Sequence, residues 1–77
     1  MTTQAIHLFR IRPERNEARF YRLDVWPDLF GGVSLVREWG RIGRPGRHMH
    51  EHFISEKAAR KALNEIAFSK QKRGYQI

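Results

Sequence analysis

Cysteine is absent from the chain. That excludes disulfide staples, thiolate metal ligands and thiol redox chemistry, and it agrees with a reducing compartment. Long apolar runs are missing as well, and the N-terminus carries no leader-like hydrophobic stretch. Neither a membrane span nor a targeting segment is therefore predicted, and the expectation is a soluble cytoplasmic protein, nucleoid-associated if the source is bacterial. No nucleophile-base pair, glycine-rich phosphate loop or carboxylate dyad can be picked out, so neither an enzyme nor a cofactor is expected. The most telling scarcity is local: residues 39–50 and 66–77 contain no acid at all.

What is present is a strong basic excess. Fifteen Lys and Arg face eight Asp and Glu, a formal charge of +7 on 77 residues, with 40% apolar residues. A chain of this length forms one small domain whose core is only just sufficient. The charge argues for a polyanionic partner. Residues 1–29 are nearly balanced, with five Arg against four acids. The uncompensated cations are Arg41, Arg44 and Arg47 in the first acid-free segment, and Lys70, Lys72 and Arg73 in the second.

Alternating and apolar segments over Ala5 to Arg12, Arg19 to Trp26, Val33 to Arg41 and His48 to Ile54 predict four strands. Pro13 to Glu17, Pro27-Asp28 and Gly31-Gly32 read as turns, and short connections imply antiparallel neighbours. Gly43-Arg44-Pro45-Gly46-Arg47 predicts a hairpin tip, with Pro45 at the first central position and Gly46 taking the positive φ that follows. From Ser55, a plausible N-cap, the period turns helical: Ala59, Ala62, Leu63, Ile66 and Ala67 form one apolar stripe, and Gly74 closes the helix. The expected fold class is α+β: a small antiparallel sheet of about four strands, with room for a short fifth, packed against one C-terminal helix.

Alternation also sends Leu35, Arg37, Trp39 and Arg41 to one face, with Gly40 leaving the opposite face bare. An indole stacks on a base or sugar, and a guanidinium fork matches phosphate oxygens. The competing uses are ordinary ones. Trp39 can be a half-buried strand aromatic, and Arg37 and Arg41 can pair with Glu38, Glu51 or Asp24. Arg44 and Arg47 flank the hairpin tip, either as phosphate contacts or as solvated charge. His48, His50 and His52 alternate on one strand face, but no carboxylate or Cys completes a metal set, so no metal is expected and the role assigned is pH-dependent reinforcement of the basic surface.

The ordered set of these residues resembles a WGR domain. The similarity runs through Phe20-Tyr21-Arg22-Leu23, the signature Trp39-Gly40-Arg41 extended by Ile42-Gly43, the glycine turn at Gly46, Leu63 and Ile66 of the helix, and the closing Lys70-x-x-x-Gly74-Tyr75. It covers nearly the whole chain, so residues 1–77 form a single WGR-like domain. The resemblance implies a small antiparallel sheet with one packed helix. In DNA-damage-responsive poly(ADP-ribose) polymerases the module binds DNA at breaks, its Trp packing on a terminal sugar, its Arg joining phosphate or interdomain contacts and a late-helix Lys lying nearby. Those roles fall on Trp39, Arg41 and Lys70. No transferase domain fits in 77 residues, so the resemblance implies binding alone.

The expectation is thus a non-enzymatic nucleic-acid-binding module contacting DNA, with RNA not excluded, through Trp39, Arg41, Arg37, Arg44, Arg47 and Lys70. The alternative is a protein-protein adaptor that uses the signature face or Phe68. Phe68 lies about half a helical turn from the apolar stripe. Tucking against the chain's ends is the expected fate of its ring, and the alternative is contact with another protein or a second copy.

Overall fold

A computed structural model describes residues 5–77; the first four residues of the predicted single domain lie outside it. The strands are β1 (Ile6–Arg12), β2 (Glu17–Pro27), β3 (Val33–Arg41) and β4 (Arg47–Phe53), followed by the helix α1 (Glu56–Lys72). They form one sheet in the order β1-β2-β3-β4, with every neighbour antiparallel. That is the topology short connections enforce.

Each connection has a local cause. Pro13–Arg15 form a single 3-10 turn, and Asn16, at φ +51°, places its N–H 3.0 Å from the Pro13 carbonyl oxygen and turns the chain back. The ladder consequently closes sooner than the sequence suggests, and Glu17, expected in the turn, already pairs with Arg12. Between β2 and β3, one carboxylate oxygen of Asp28 accepts from the N–H groups of Phe30 and Gly32. The hairpin between β3 and β4 differs from the sequence expectation. Its turn is Arg41 to Arg44, with Gly43 at φ +89° and the Arg44 N–H on the Arg41 carbonyl. Gly46 has no positive φ; it is required because a Cβ there would lie 2.5 Å from the Trp39 carbonyl oxygen and 2.8 Å from the Phe20 ring. For the same reason the face of Gly40 is not bare: Phe20 and the Gly46 backbone lie over it.

Period-2 alternation turns Leu8, Tyr21, Leu23, Val25, Val33 and Leu35 towards α1, which answers with Ala59, Leu63 and Ala67. The two alanines let the helix lie close to the sheet. Leu8, Leu23, Leu35 and Val25 are fully buried, and each such side chain contributes roughly 1.5–3 kcal/mol of transfer free energy. Ser55 caps the helix by accepting from the Ala58 N–H.

The far end of α1 matters most for the site. Gly74, at φ +97°, donates to the Gln71 carbonyl, and Tyr75 donates to the Lys70 carbonyl, the pair of bonds that defines a Schellman turn. The reversal drives the Tyr75 ring back into the core. Gln76 then exchanges two backbone hydrogen bonds with Phe9, at 2.7 and 2.8 Å, so the anticipated short fifth strand is reduced to a single bridge along β1. No helix among the described residues is long and apolar enough to cross a membrane.

Candidate functional site

The register of β2 and β3 sets Tyr21 opposite Trp39 and Arg19 opposite Arg41. Tyr21 is only 3% exposed. Its ring stacks on the indole at 5.8 Å between centroids and 16° between planes, and it meets Tyr75 edge-on at 6.2 Å. Trp39 is therefore half-buried: one side rests on the core, and the remainder lines a cleft of about 300 Å³. Around it stand Arg15, Asn16, Glu17, Arg19, Gly40, Arg41 and Tyr75. Of the six residues singled out in the sequence, two, Trp39 and Arg41, meet in this cleft.

Arg41 is held by neutral groups. It donates to the Asn16 carbonyl at 2.9 Å and to the Asn16 side-chain oxygen at 3.3 Å. The left-handed Asn16 thus supports the guanidinium without neutralising it. Arg37 is positioned in the same manner: its Nε donates to the Tyr21 hydroxyl at 2.9 Å, and the Met49 sulfur accepts from Nη1 at 3.9 Å. Neither arginine forms an ion pair with Glu38, Glu51 or Asp24; Asp24 and Glu38 both pair with Arg22 instead.

Lys70 lies along the body of the domain, as its helical position predicts. Its ammonium sits 4.6 Å from the Tyr21 ring centroid and 5.9 Å from that of Tyr75. Burial, and then the like charges of Arg73, Arg37 and Arg10, hold its pKa below the usual lysine value. Lys70 and Arg37 share a groove beside α1 that is separate from the Trp39 cleft. Arg47 is the cross-strand partner of Trp39, on the same sheet face. Arg44 is exposed at the hairpin tip, apart from both.

The sequence reading assigns no site role to Arg15, Asn16, Glu17 and Arg19 of the cleft, and names Tyr75, and Tyr21 beneath the indole, only within the family resemblance. Glu17 is central among them. It accepts from Arg10 at 3.0 Å and lies within 3.8 Å of Arg12 and 3.6 Å of Arg19. Desolvation works to raise its pKa, but the Arg10 hydrogen bond and the three guanidinium charges outweigh it, and the carboxyl is held below its usual value. Alternation puts Arg19 and Arg41 on one sheet face, and the β2–β3 register sets them opposite each other.

Two expectations away from the cleft resolve differently. Phe68 does not tuck against the chain's ends; it is 61% exposed, with the Lys72 ammonium 4.6 Å from its ring centroid. It points outward because the apolar stripe, through Ala59, Leu63 and Ala67, occupies the other side of α1. His48, His50 and His52 do share the open sheet face, but His52 hydrogen-bonds Asp28 and the rings of His48 and His50 meet edge-on at 5.8 Å. Among the described residues no group of three or more His, Cys, Asp or Glu is placed to hold a metal ion.

Comparison with known proteins places this geometry in context. The model of the family described as WGR domain matches residues 4–77. An uncharacterized protein of Sinorhizobium fredii, y4dW, is 42% identical over 77 residues, covering 97% of this chain and 38% of that protein. The chain thus spans less than two fifths of the length of that relative. No solved structure matches significantly.

Proposed function

We propose that this chain, which belongs to the WGR family, is a non-enzymatic nucleic-acid-binding module that takes DNA by its sugar-phosphate backbone at the Trp39–Arg41 cleft. The observation that carries this reading is a half-buried indole opening onto a cleft beside a guanidinium held only by neutral partners. The uncovered part of the ring is free to pack on a sugar or base, and Arg41 on a phosphate. Arg47, Arg44, Arg37 and Lys70 add attraction along the same backbone, with little base readout. A flat ring at a shallow opening suits a strand end or nick, where a terminal sugar is uncovered. The protein then acts where DNA is, in the cytoplasm or on the nucleoid.

The test is a binding titration of labelled blunt, nicked, circular and single-stranded DNA, and of RNA, at two salt concentrations. With three or four phosphate contacts, the logarithm of affinity falls against log salt with a slope of roughly −3 to −4 on duplex DNA. Trp39→Ala lowers affinity for ends and nicks by about 1–3 kcal/mol, the range of one lost stacking contact, and lowers internal duplex binding less. A salt-insensitive complex sinks the reading. Equal losses on circular and nicked DNA sink end recognition alone.

The alternative, a protein-protein adaptor, draws on the exposure of Phe68 beside Lys57, Lys61, Glu65 and Lys72. A complex or self-association that survives nuclease treatment and disappears with Phe68→Ser would favour it.

A further inference from the structure

The cations that line the groove beside α1 are not accounted for by the cleft. This groove, of about 410 Å³, lies between the helix and β3 and is lined by Arg37, Ser69, Lys70 and Arg73, with Glu65 also on its wall. None of its three cations forms an ion pair among the described residues. Two of them are held by aromatic faces and a phenol: Lys70 over Tyr21 and Tyr75, Arg37 on the Tyr21 hydroxyl. A fourth cation, Arg10, stands over Tyr75 at 5.1 Å and donates to the Arg73 carbonyl, but it is itself paired with Glu17 at 3.0 Å.

Gathering Arg37, Lys70 and Arg73 on one groove without an ion-paired carboxylate costs free energy, because each raises the potential at the others. Burial first, and then the like charges of Arg73, Arg37 and Arg10, hold the pKa of Lys70 below the usual lysine value. An anion relieves the repulsion, and a phosphate suits the donors on the groove wall: the guanidinium forks of Arg37 and Arg73, the Lys70 ammonium and the Ser69 hydroxyl. Tyr21 links this groove to the cleft: the Lys70 ammonium stands 4.6 Å from its ring centroid, and the Trp39 indole stacks on the same ring at 5.8 Å.

We infer that the Arg37–Lys70–Arg73 groove is a second phosphate seat, so that a strand whose sugar packs on Trp39 places one phosphate by Arg41 and another beside the C-terminal end of the helix. This rests on the proposed reading of the Trp39 cleft. The two seats are separate openings joined through one ring pair: Trp39 lines the cleft, and the Tyr21 ring stacked on it carries Lys70 of the groove. They therefore take different phosphates of one strand, and a single phosphate does not fill both. Arg73 and Ser69, at the end of the helix, become part of the binding face.

Oligothymidylates carrying one, two, three and four phosphates are titrated by NMR into the intact protein and into its Arg73→Gln, Lys70→Gln, Lys70→Arg and Arg41→Gln variants. In the parent protein affinity rises roughly tenfold or more from one to three phosphates, as a second charge-assisted contact is added. Arg73→Gln and Lys70→Gln flatten that rise, each lowers the salt slope by about 1, and Lys70→Arg restores both. Arg41→Gln weakens every length. Matching length dependence and salt slope in the parent, Arg73→Gln and Lys70→Gln proteins overturn the second seat while leaving the cleft intact. If the parent binds no oligonucleotide of any length, the cleft reading fails, and inorganic pyrophosphate alone decides the groove: shifts at Lys70 and Arg73 that vanish in Lys70→Gln sustain a phosphate seat, and no shifts overturn it.

Discussion

The arginines of β1 and β2 and the cations of β3 and the helix end are the same chemistry put to opposite uses. Arg10, Arg12 and Arg19 converge on Glu17, and Arg22 on Asp24 and Glu38. Arg37 and Arg41 on β3 and Lys70 on α1 lean on a phenol, an asparagine and two aromatic rings. The first set is locked by carboxylates and stiffens the platform. The second is fixed in place without losing its charge. Neutral partners orient a cation but leave its field intact, so the second set faces an incoming anion at full strength.

Removing the carboxylate that locks the first set breaks the contrast most severely. Glu17→Gln leaves three guanidinium groups without their common partner, and the largest fall in thermal midpoint is expected here. The pH dependence has a definite sign. Because the folded carboxyl is held below its usual value of 4.5, the unfolded chain takes up the proton first as pH falls. The stabilisation is complete above 4.5 and is lost as pH drops through the lower folded value. Thermal melts of the parent and Glu17→Gln proteins therefore converge on acidification. Asp28 contributes in the same direction: burial works to raise its pKa, but hydrogen bonds from Phe30, Gly32 and His52 and the charge of His52 prevail. At neutral pH, Glu17→Gln should bind nucleic acid more tightly, since a negative charge leaves the cleft wall. Stability and affinity moving together would erase the distinction between locked and open cations.

A paired comparison comes next. Arg10→Gln loses charge-assisted contacts to Glu17 and to the Arg73 carbonyl and should cost about 1.5–3 kcal/mol of stability, with little change in salt slope. Arg41→Gln, on an exposed side chain, should stay within about 0.5 kcal/mol of the parent and lower the slope by about 1. Denaturant unfolding and salt titrations of the two variants measure both effects, and exchanged outcomes would reverse the assignment of roles.

This division was partly legible in the sequence. The balanced charge of residues 1–29 and the acid-free stretches at 39–50 and 66–77 foreshadow locked and open cations, because an arginine with no acid near it in sequence has fewer candidates to pair with. The four strands, the Ser55 cap, the apolar helix stripe and the Gly74 closure follow from periodicity and capping chemistry, which are local. What stayed hidden is long-range. That Asn16 would hold Arg41, or Tyr75 return onto Tyr21, depends on strand register and on where the Schellman turn aims the chain. Gly46 was misread for a related reason: its need for a hydrogen in place of a side chain comes from the Trp39 backbone and the Phe20 ring, not from its own dihedral angles. Phe68 was expected to be covered, and nothing in the helical pattern supplies a partner for that side of α1.

The mildest change tests whether the open cations are placed or merely present. Tyr21→Phe keeps the ring that stacks on Trp39 and carries Lys70, and removes only the hydroxyl that accepts from Arg37. Stability should fall by about 0.5–1.5 kcal/mol, the usual worth of one hydrogen bond. Arg37 keeps its charge but gains rotamer freedom, so ordering it on a phosphate becomes costlier. A few-fold loss of affinity at unchanged salt slope is expected, read by denaturant unfolding and a nucleic-acid titration of the same preparation. Unchanged affinity would mean that the phenol serves the fold alone, and that Arg37 acts as diffuse charge rather than as a positioned contact. A lowered slope would mean that Arg37 had left the face altogether, so that the neutral partner holds it there as firmly as Glu17 holds its arginines.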